Sequence, residues 1–270
     1  MIWRWLPVCV LLLWAMAAFF GDVLSTGANR IDLEHILTGP GQAGLLGFDD
    51  LGRPVMQRLL AGAQTSFAVA FGVVSISLVL GTAIGLLAAY QGGWLDLFIV
   101  RLIDIFLAFP GILLAIALAG VMGPGLDNLI IALTVVGWVG YARLARGQVL
   151  SLRERDHVTA AIALGSSRWF IITRHMLPLV AAPLIVEATF GIAGMVIAEA
   201  GLSFLGLGIQ PPDASWGSMI RDGTTYMLVA PHLVLAPGLV MMLVVLSLNL
   251  LGDRLRDRLD IRLATEQRKS

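Results

Sequence analysis

The sequence predicts an all-α protein that crosses a membrane several times. Of its 270 residues, 58% are apolar and only 13% charged, and the mean hydropathy is +0.87. The apolar residues also gather in runs long enough to span a bilayer. A soluble domain carries roughly 25% charged residues to cover its surface. About 20 helical residues, rising roughly 1.5 Å each, cross the ~30 Å of hydrocarbon. In lipid the backbone must satisfy its own polar groups, and the runs lack the period-two alternation of a barrel wall, which leaves helices.

Six such runs are expected, at about 2–20, 65–90, 98–122, 128–146, 177–202 and 228–251. The first also has features of a cleaved leader, with Arg4 ahead of the apolar run and Ala15, Ala17 and Ala18 near its end. Its continuation through Phe19 and Phe20 favours a retained span. Cys9, the single cysteine, lies inside this run, which excludes disulfides within the chain and thiolate metal clusters and fits a buried apolar thiol. In the segment that follows, Asp49-Asp50-Leu51-Gly52-Arg53-Pro54 reads as a turn leading into a short helix, with Val55, Leu59 and Leu60 on one apolar face. Asp49 and Asp50 lack the other ligands of a calcium loop and are expected to cap that helix. Gly81 and Gly85, Gly137 and Gly140, and Gly191 and Gly194 supply small residues for close packing in spans two, four and five. Pro110, Pro183, Pro231 and Pro237 are places where helices can kink.

Arginine sets the orientation. All but one of the 18 basic residues are arginine. Arg143, Arg146, Arg153, Arg155, Arg168 and Arg174 flank the loop between spans four and five, and Arg254, Arg256, Arg258, Arg262, Arg268 and Lys269 form the tail. Arg4 and Arg101 fall on that same side; Arg30, Arg53, Arg58 and Arg221 fall on the other, among the acids Asp22, Asp32, Glu34, Asp49, Asp50, Asp127, Asp213 and Asp222. The positive-inside rule makes both termini cytoplasmic and 147–176 the long internal loop. The rule also accounts for the asymmetry without a nucleic-acid partner. The expected division is a first helix and outer segment at 1–64, a core at 65–252 that includes the loop 147–176, and a cytoplasmic tail at 253–270.

Catalytic motifs are missing. A GxxxxGK[ST] phosphate loop needs a lysine after its glycines, and the only lysine is Lys269. His35, His157, His175 and His232 are scattered without HExxH spacing, and no serine lies in a GxSxG elbow. The chain is therefore expected to be a non-enzyme with no cofactor of its own, so any ATP and Mg would act on partner subunits.

The internal loop has the form a partner could grip. Residues 157–164 make a short helix, Gly165-Ser166-Ser167 breaks it, and Arg168 to Met176 resumes before Leu177-Pro178. Composition leaves two readings open, a lever seated in another protein's cleft or an amphipathic helix on the inner leaflet.

This loop resembles the EAA motif of permease subunits of binding-protein-dependent ABC importers, EAA, three residues, G, nine residues, I, one residue, LP. Thr159-Ala160-Ala161, Gly165 and Leu177-Pro178 fall on that spacing, with Thr159 in place of the glutamate and His175 in place of the isoleucine. The stretches "LGFDDLGRPVMQRLLAGA", "LIDIFLAFPGILLAIAL", "GYARLARGQVLSLRERD" and "AEAGLSFLGLGIQPPDASWG" are similar to the smaller permease of the dipeptide, oligopeptide and nickel importers. Phe48 and Pro54 depart from that family's usual threonine and aspartate. The resemblance implies the type I ABC importer permease fold and import of di- or oligopeptides, with nickel as the alternative. Its implied partners are a second homologous permease, two ATPase subunits and an extracytoplasmic solute-binding protein. A self-contained channel or carrier is the competing class, and an intramembrane enzyme would need clustered acids or histidines that the sequence lacks.

Three acids fall in the apolar runs, where ionised groups are costly enough to be functional candidates. Asp104 can pair with Arg101 three residues before it. Glu187 and Glu199 are twelve residues apart, roughly 120° around a helix, and both are candidates for the translocation pathway. Glu199 is also placed to brace the "GLSFLGLG" segment.

Overall fold

The computed structural model describes residues 5–267. Arg4, Arg268 and Lys269, used in the charge count, lie outside the described residues, as does the side chain of Arg262. Apart from one isolated antiparallel bridge between Phe48 and Pro54, the regular elements among the described residues are helices. They run α1 (Leu6–Phe19), α2 (Gly21–Leu24), a 3₁₀ turn at Leu33–His35, α3 (Val55–Gln91), α4 (Gly93–Leu107), α5 (Gly111–Met122), α6 (Leu126–Leu152), α7 (Asp156–Ala163), α8 (Arg168–Phe170), a π turn at Ile171–Met176, α9 (Leu177–Phe204), α10 (Trp216–Thr224) and α11 (His232–Gln267).

Four helical stretches are long and apolar enough to cross a membrane: Val55–Gln91, Leu126–Leu152, Arg168–Phe204 and His232–Leu259. The other two expected runs take a different form. The run 98–122 is two helices, α4 and α5, bent by 84°. Pro110 is the N-cap of α5; it has no N–H to give the preceding turn and disfavours helical geometry at Phe109, so an unbroken run of apolar side chains hides a broken backbone. Of the run 2–20, residues 2–4 lie outside the described residues, and the described part holds the 14-residue α1, which alone is shorter than the length that spans a bilayer. Cys9 is exposed on α1 and not buried in the bundle, because α1 packs through Trp14, Ala17 and Ala18 on one side only.

α3 is the central pillar. The helix expected to begin near Pro54 is the start of α3 itself, continuous into the second span. Val55 and Leu59 are buried against Trp14 and Trp216 at the end expected to be outer. Asp49 does not cap this helix, whose N-cap is Pro54. Its Oδ1 accepts the N–H groups of Leu51 at 3.0 Å and Arg53 at 2.8 Å, and its Oδ2 takes Arg53 Nε at 2.7 Å. Arg58 Nε approaches the same oxygen at 3.5 Å. The acid is consumed in holding the turn and two arginines.

The α3–α6 pairing is the most extensive in the fold, and glycine makes it possible. A Cβ at Gly81 would lie 2.8 Å from Tyr141 Cβ, and one at Gly85 would strike the Ala142 carbonyl. Gly137 faces Ser77 and Gly191 faces the Tyr141 hydroxyl, whereas Gly140 and Gly194 meet nothing nearby. At the opposite end from Pro54, Arg146 holds Asp96 through two bonds of 2.6 and 2.8 Å, fixing the start of α4 to α6. The two residues are 50 apart in the chain and lie on different helices. Arg101 and Asp104 do approach, at 3.9 Å, but both are largely exposed.

Candidate functional site: the loop between α6 and α9

Arg155 turns the chain out of α6, and its carbonyl receives the N–H groups of Val158 and Thr159 as α7 starts. The helix runs for eight residues and stops on Gly165, which has φ +77°. Gly165 N–H donates to Ile162 O at 2.9 Å and Ser166 N–H to Ala161 O at 3.0 Å. These two bonds form a Schellman closure, which requires a left-handed residue that glycine adopts without a Cβ penalty. A Cβ at Gly165 would meet no other atom of the chain; the requirement here is conformational. Ser167 Oγ then accepts Phe170 N–H at 3.3 Å and caps the next helix.

The return to the membrane is not a simple helix. Ile171–Met176 is wound as a π turn, with Leu177 N–H donating to Ile172 O five residues back. Pro178 explains this: in α geometry its nitrogen would have to donate to Arg174 O, and it has no hydrogen to give. Beyond the turn α9 continues, so that Arg168–Phe204 is one helical stretch of 37 residues.

The loop residues singled out by the sequence divide into two sets. Thr159, Ala160 and Gly165 face outward, and Thr159 Oγ1 is tied back to Arg155 O at 3.2 Å. Ala161 faces inward and is buried with Val158, Ile171, Met176 and Val149. Its small size serves the chain's own core. Leu177 and Pro178 lie exposed where the π turn meets α9. His175 packs between the two halves of the loop, its ring centroid 6.1 Å from that of His157 and 5.6 Å from that of Phe170. The outer surface is apolar: Leu164 is 86% exposed and Trp169 69%. Apolar side chains gathered at the tip of a basic loop mark a surface made to be covered.

Glu187 and Glu199 occupy different environments on α9. Glu187 is exposed partway along the helix. Glu199 is fully buried, and its carboxylate accepts from Ser66 Oγ at 2.9 Å and Ser203 Oγ at 2.8 Å. The two acids therefore share no open face, and Glu199 is inside the bundle. Sequence reasoning missed Ser66, which lies 133 residues away. Groups of three or more His, Cys, Asp or Glu able to hold a metal are absent among the described residues.

Long apolar helices around a glycine-packed pair, with one capped helix displayed on a basic loop, define an integral membrane protein. The chain belongs to the family of binding-protein-dependent transport system inner membrane components, which matches residues 81–265. It is 41% identical over 255 residues to the glutathione transport system permease protein GsiD of Pectobacterium atrosepticum, covering 94% of this chain and 85% of that one. It is 43% identical over 246 residues to the dipeptide transport system permease protein DppC of Alkalihalophilus pseudofirmus, covering 91% and 81%. Among solved structures it resembles a chain of the inward-facing MetNI methionine ABC transporter, with a TM-score of 0.63 and 20% identity over 76% of this chain and 97% of that one. The fold is that of a type I ABC importer permease.

Proposed function

We propose that this chain is one of two homologous permease subunits of an ATP-driven importer of di- or oligopeptides, with both termini and the 147–176 loop in the cytoplasm. Two separate ATPase subunits hydrolyse ATP, and a solute-binding protein delivers substrate to the other face. The observation that carries this reading is the outward face of α7, closed by Gly165 and joined through the π turn to a helical stretch long and apolar enough to cross a membrane. A push on α7 is passed to α9 because Val158, Ala161, Ile171 and Met176 form one packed unit. The exposed Leu164 and Trp169 supply the apolar contact for an ATPase cleft. Thr159 cannot provide the acidic anchor of the family's motif, so shape and apolar contact carry the docking. The peptide substrate is supported by the glutathione and dipeptide transport names of the two relatives. Glu187, exposed on α9, is in this reading the contact for the ammonium group of a passing peptide.

The test is to purify the chain from its native membrane under mild conditions, identify the co-purifying subunits and measure peptide-stimulated ATPase in vesicles. Two ATPase chains, a second permease and stimulation by a peptide-loaded binding protein are expected. Uptake by this chain alone, without nucleotide, would overturn the reading.

A further inference from the structure

At the far end of α9 from the loop, the chain folds back through residues 205–215 into α10, and this hairpin is stitched to α3 and α9 by a polar node centred on Glu199. The carboxylate has no exposure. Each of its oxygens is engaged by one serine hydroxyl, Oε2 by Ser66 of α3 and Oε1 by Ser203 of α9. Ser203 extends the node into the hairpin: its Oγ accepts Ile209 N–H at 3.3 Å and its carbonyl accepts Arg221 Nη1 at 3.5 Å. Around this node Thr65 Oγ1 donates to Ala214 O at 3.0 Å and Trp216 Nε1 to Leu59 O at 3.1 Å. Gly217 and Gly208 pack so closely on Ala200 and Ser203 that neither has room for a Cβ.

We infer that Glu199 is a positioning residue for transport: it makes the outer ends of α3 and α9 and the 205–224 hairpin one rigid body, so that displacement of the α7 loop reappears at the hairpin. The helical stretch Arg168–Phe204 has the loop's π turn at one end and Glu199 near the other. A helix transmits displacement only if its far end is fixed to what must move. A buried carboxylate shared by two serines on different helices is such a fixing, because breaking either bond leaves a polar group unsatisfied in an apolar interior. This inference rests on the proposed ATPase coupling at α7.

The experiment uses the complete transporter in proteoliposomes with its binding protein, in a Cys9→Ser background. Spin labels are placed at Ile185 on α9 and Gln210 on the hairpin, both exposed. In the parent, the Ile185–Gln210 distance should be the same without nucleotide and with ATP trapped. Glu199→Ala and Ser66→Ala should broaden that distance and lower uptake per ATP hydrolysed about tenfold, the equivalent of one bond to a charged group. Glu199→Gln keeps an acceptor and lets the serine hydroxyls rotate to suit its amide, so it should retain most of the parent ratio. If Glu199→Ala fails to assemble, Ser66→Ala carries the test. A parent distance that changes with nucleotide, uptake per ATP within about twofold of the parent in Ser66→Ala, or a Gln variant as impaired as Ala would each overturn the inference. Gly165→Ala in the same vesicles separates the two claims: if it leaves uptake and hydrolysis coupled, the α7 reading itself fails.

Discussion

Arg146 grips Asp96 with two parallel hydrogen bonds, of 2.6 and 2.8 Å, and so ties α4 to α6 beside the α7 loop. The fork geometry is specific to a guanidinium. Arg146→Lys should therefore destabilise the fold by about 1 kcal/mol despite keeping the charge, visible as a lower midpoint of thermal unfolding in detergent. Asp96→Asn should cost a similar amount. Midpoints unchanged in both variants would show that the pair contributes nothing to stability.

At Gly165 the left-handed backbone makes any side chain strained whatever space surrounds it. Gly165→Ala should cost about 1–2 kcal/mol in the loop and reduce uptake more than basal ATP hydrolysis, with Gly165→Asn milder because asparagine tolerates this conformation. Equal uptake for Gly, Asn and Ala, with hydrolysis still coupled to it, would count against the coupling role of the α7 loop.

Gly85 and Gly140 provide a matched contrast. A side chain at Gly85 collides with the Ala142 backbone, while one at Gly140 meets open space within the chain. Gly85→Leu should block the α3–α6 contact and abolish assembly in the membrane, since overpacking against backbone cannot be relieved by a rotamer change. Gly140→Ala should leave the chain's own folding intact, as judged by resistance to limited proteolysis.

Pro178 keeps the π turn open by withholding an N–H. Pro178→Ala supplies that donor and allows the turn to rewind as α-helix, which rotates α8 and Trp169 relative to α9. Uptake should fall severalfold while the amount of assembled complex is unchanged. A variant with parental uptake would show that the winding has no role.

Replacing Glu187 with Gln removes charge but not volume from an exposed site on α9. Uptake of peptides with a free amino terminus should fall more than uptake of amino-blocked peptides, measured side by side. Equal change for both would remove Glu187 as a contact for the ammonium group.

Hydropathy located every apolar element in order, because burial in lipid is written in side-chain chemistry alone. It could not show direction, so the run 98–122 read as one span although Pro110 divides it into helices meeting at 84°. Gly165 was legible as a break because a glycine between two helical patterns signals a left-handed cap. The inward turn of Ala161 was not, since its neighbour Ala160 is the same residue type and faces outward, as does the apolar Ile162. Asp49 was read as a helix cap because its partner arginines pair with it only once the turn has folded. Glu199 and Ser66 lie on different helices, and no local pattern announces such a pair.

The 37 residues of α3 amount to a rod about 55 Å long, against roughly 30 Å of hydrocarbon. Even at a tilt of about 40° such a rod outruns the oily layer, and because its apolar run is 65–90 the surplus at the Pro54 end stands at the level of headgroups and water. The cluster of Asp49, Arg53 and Arg58 thus needs no hydrocarbon solvation of its charges. The surplus turns of helix form a mast that carries this ionic knot above the membrane surface.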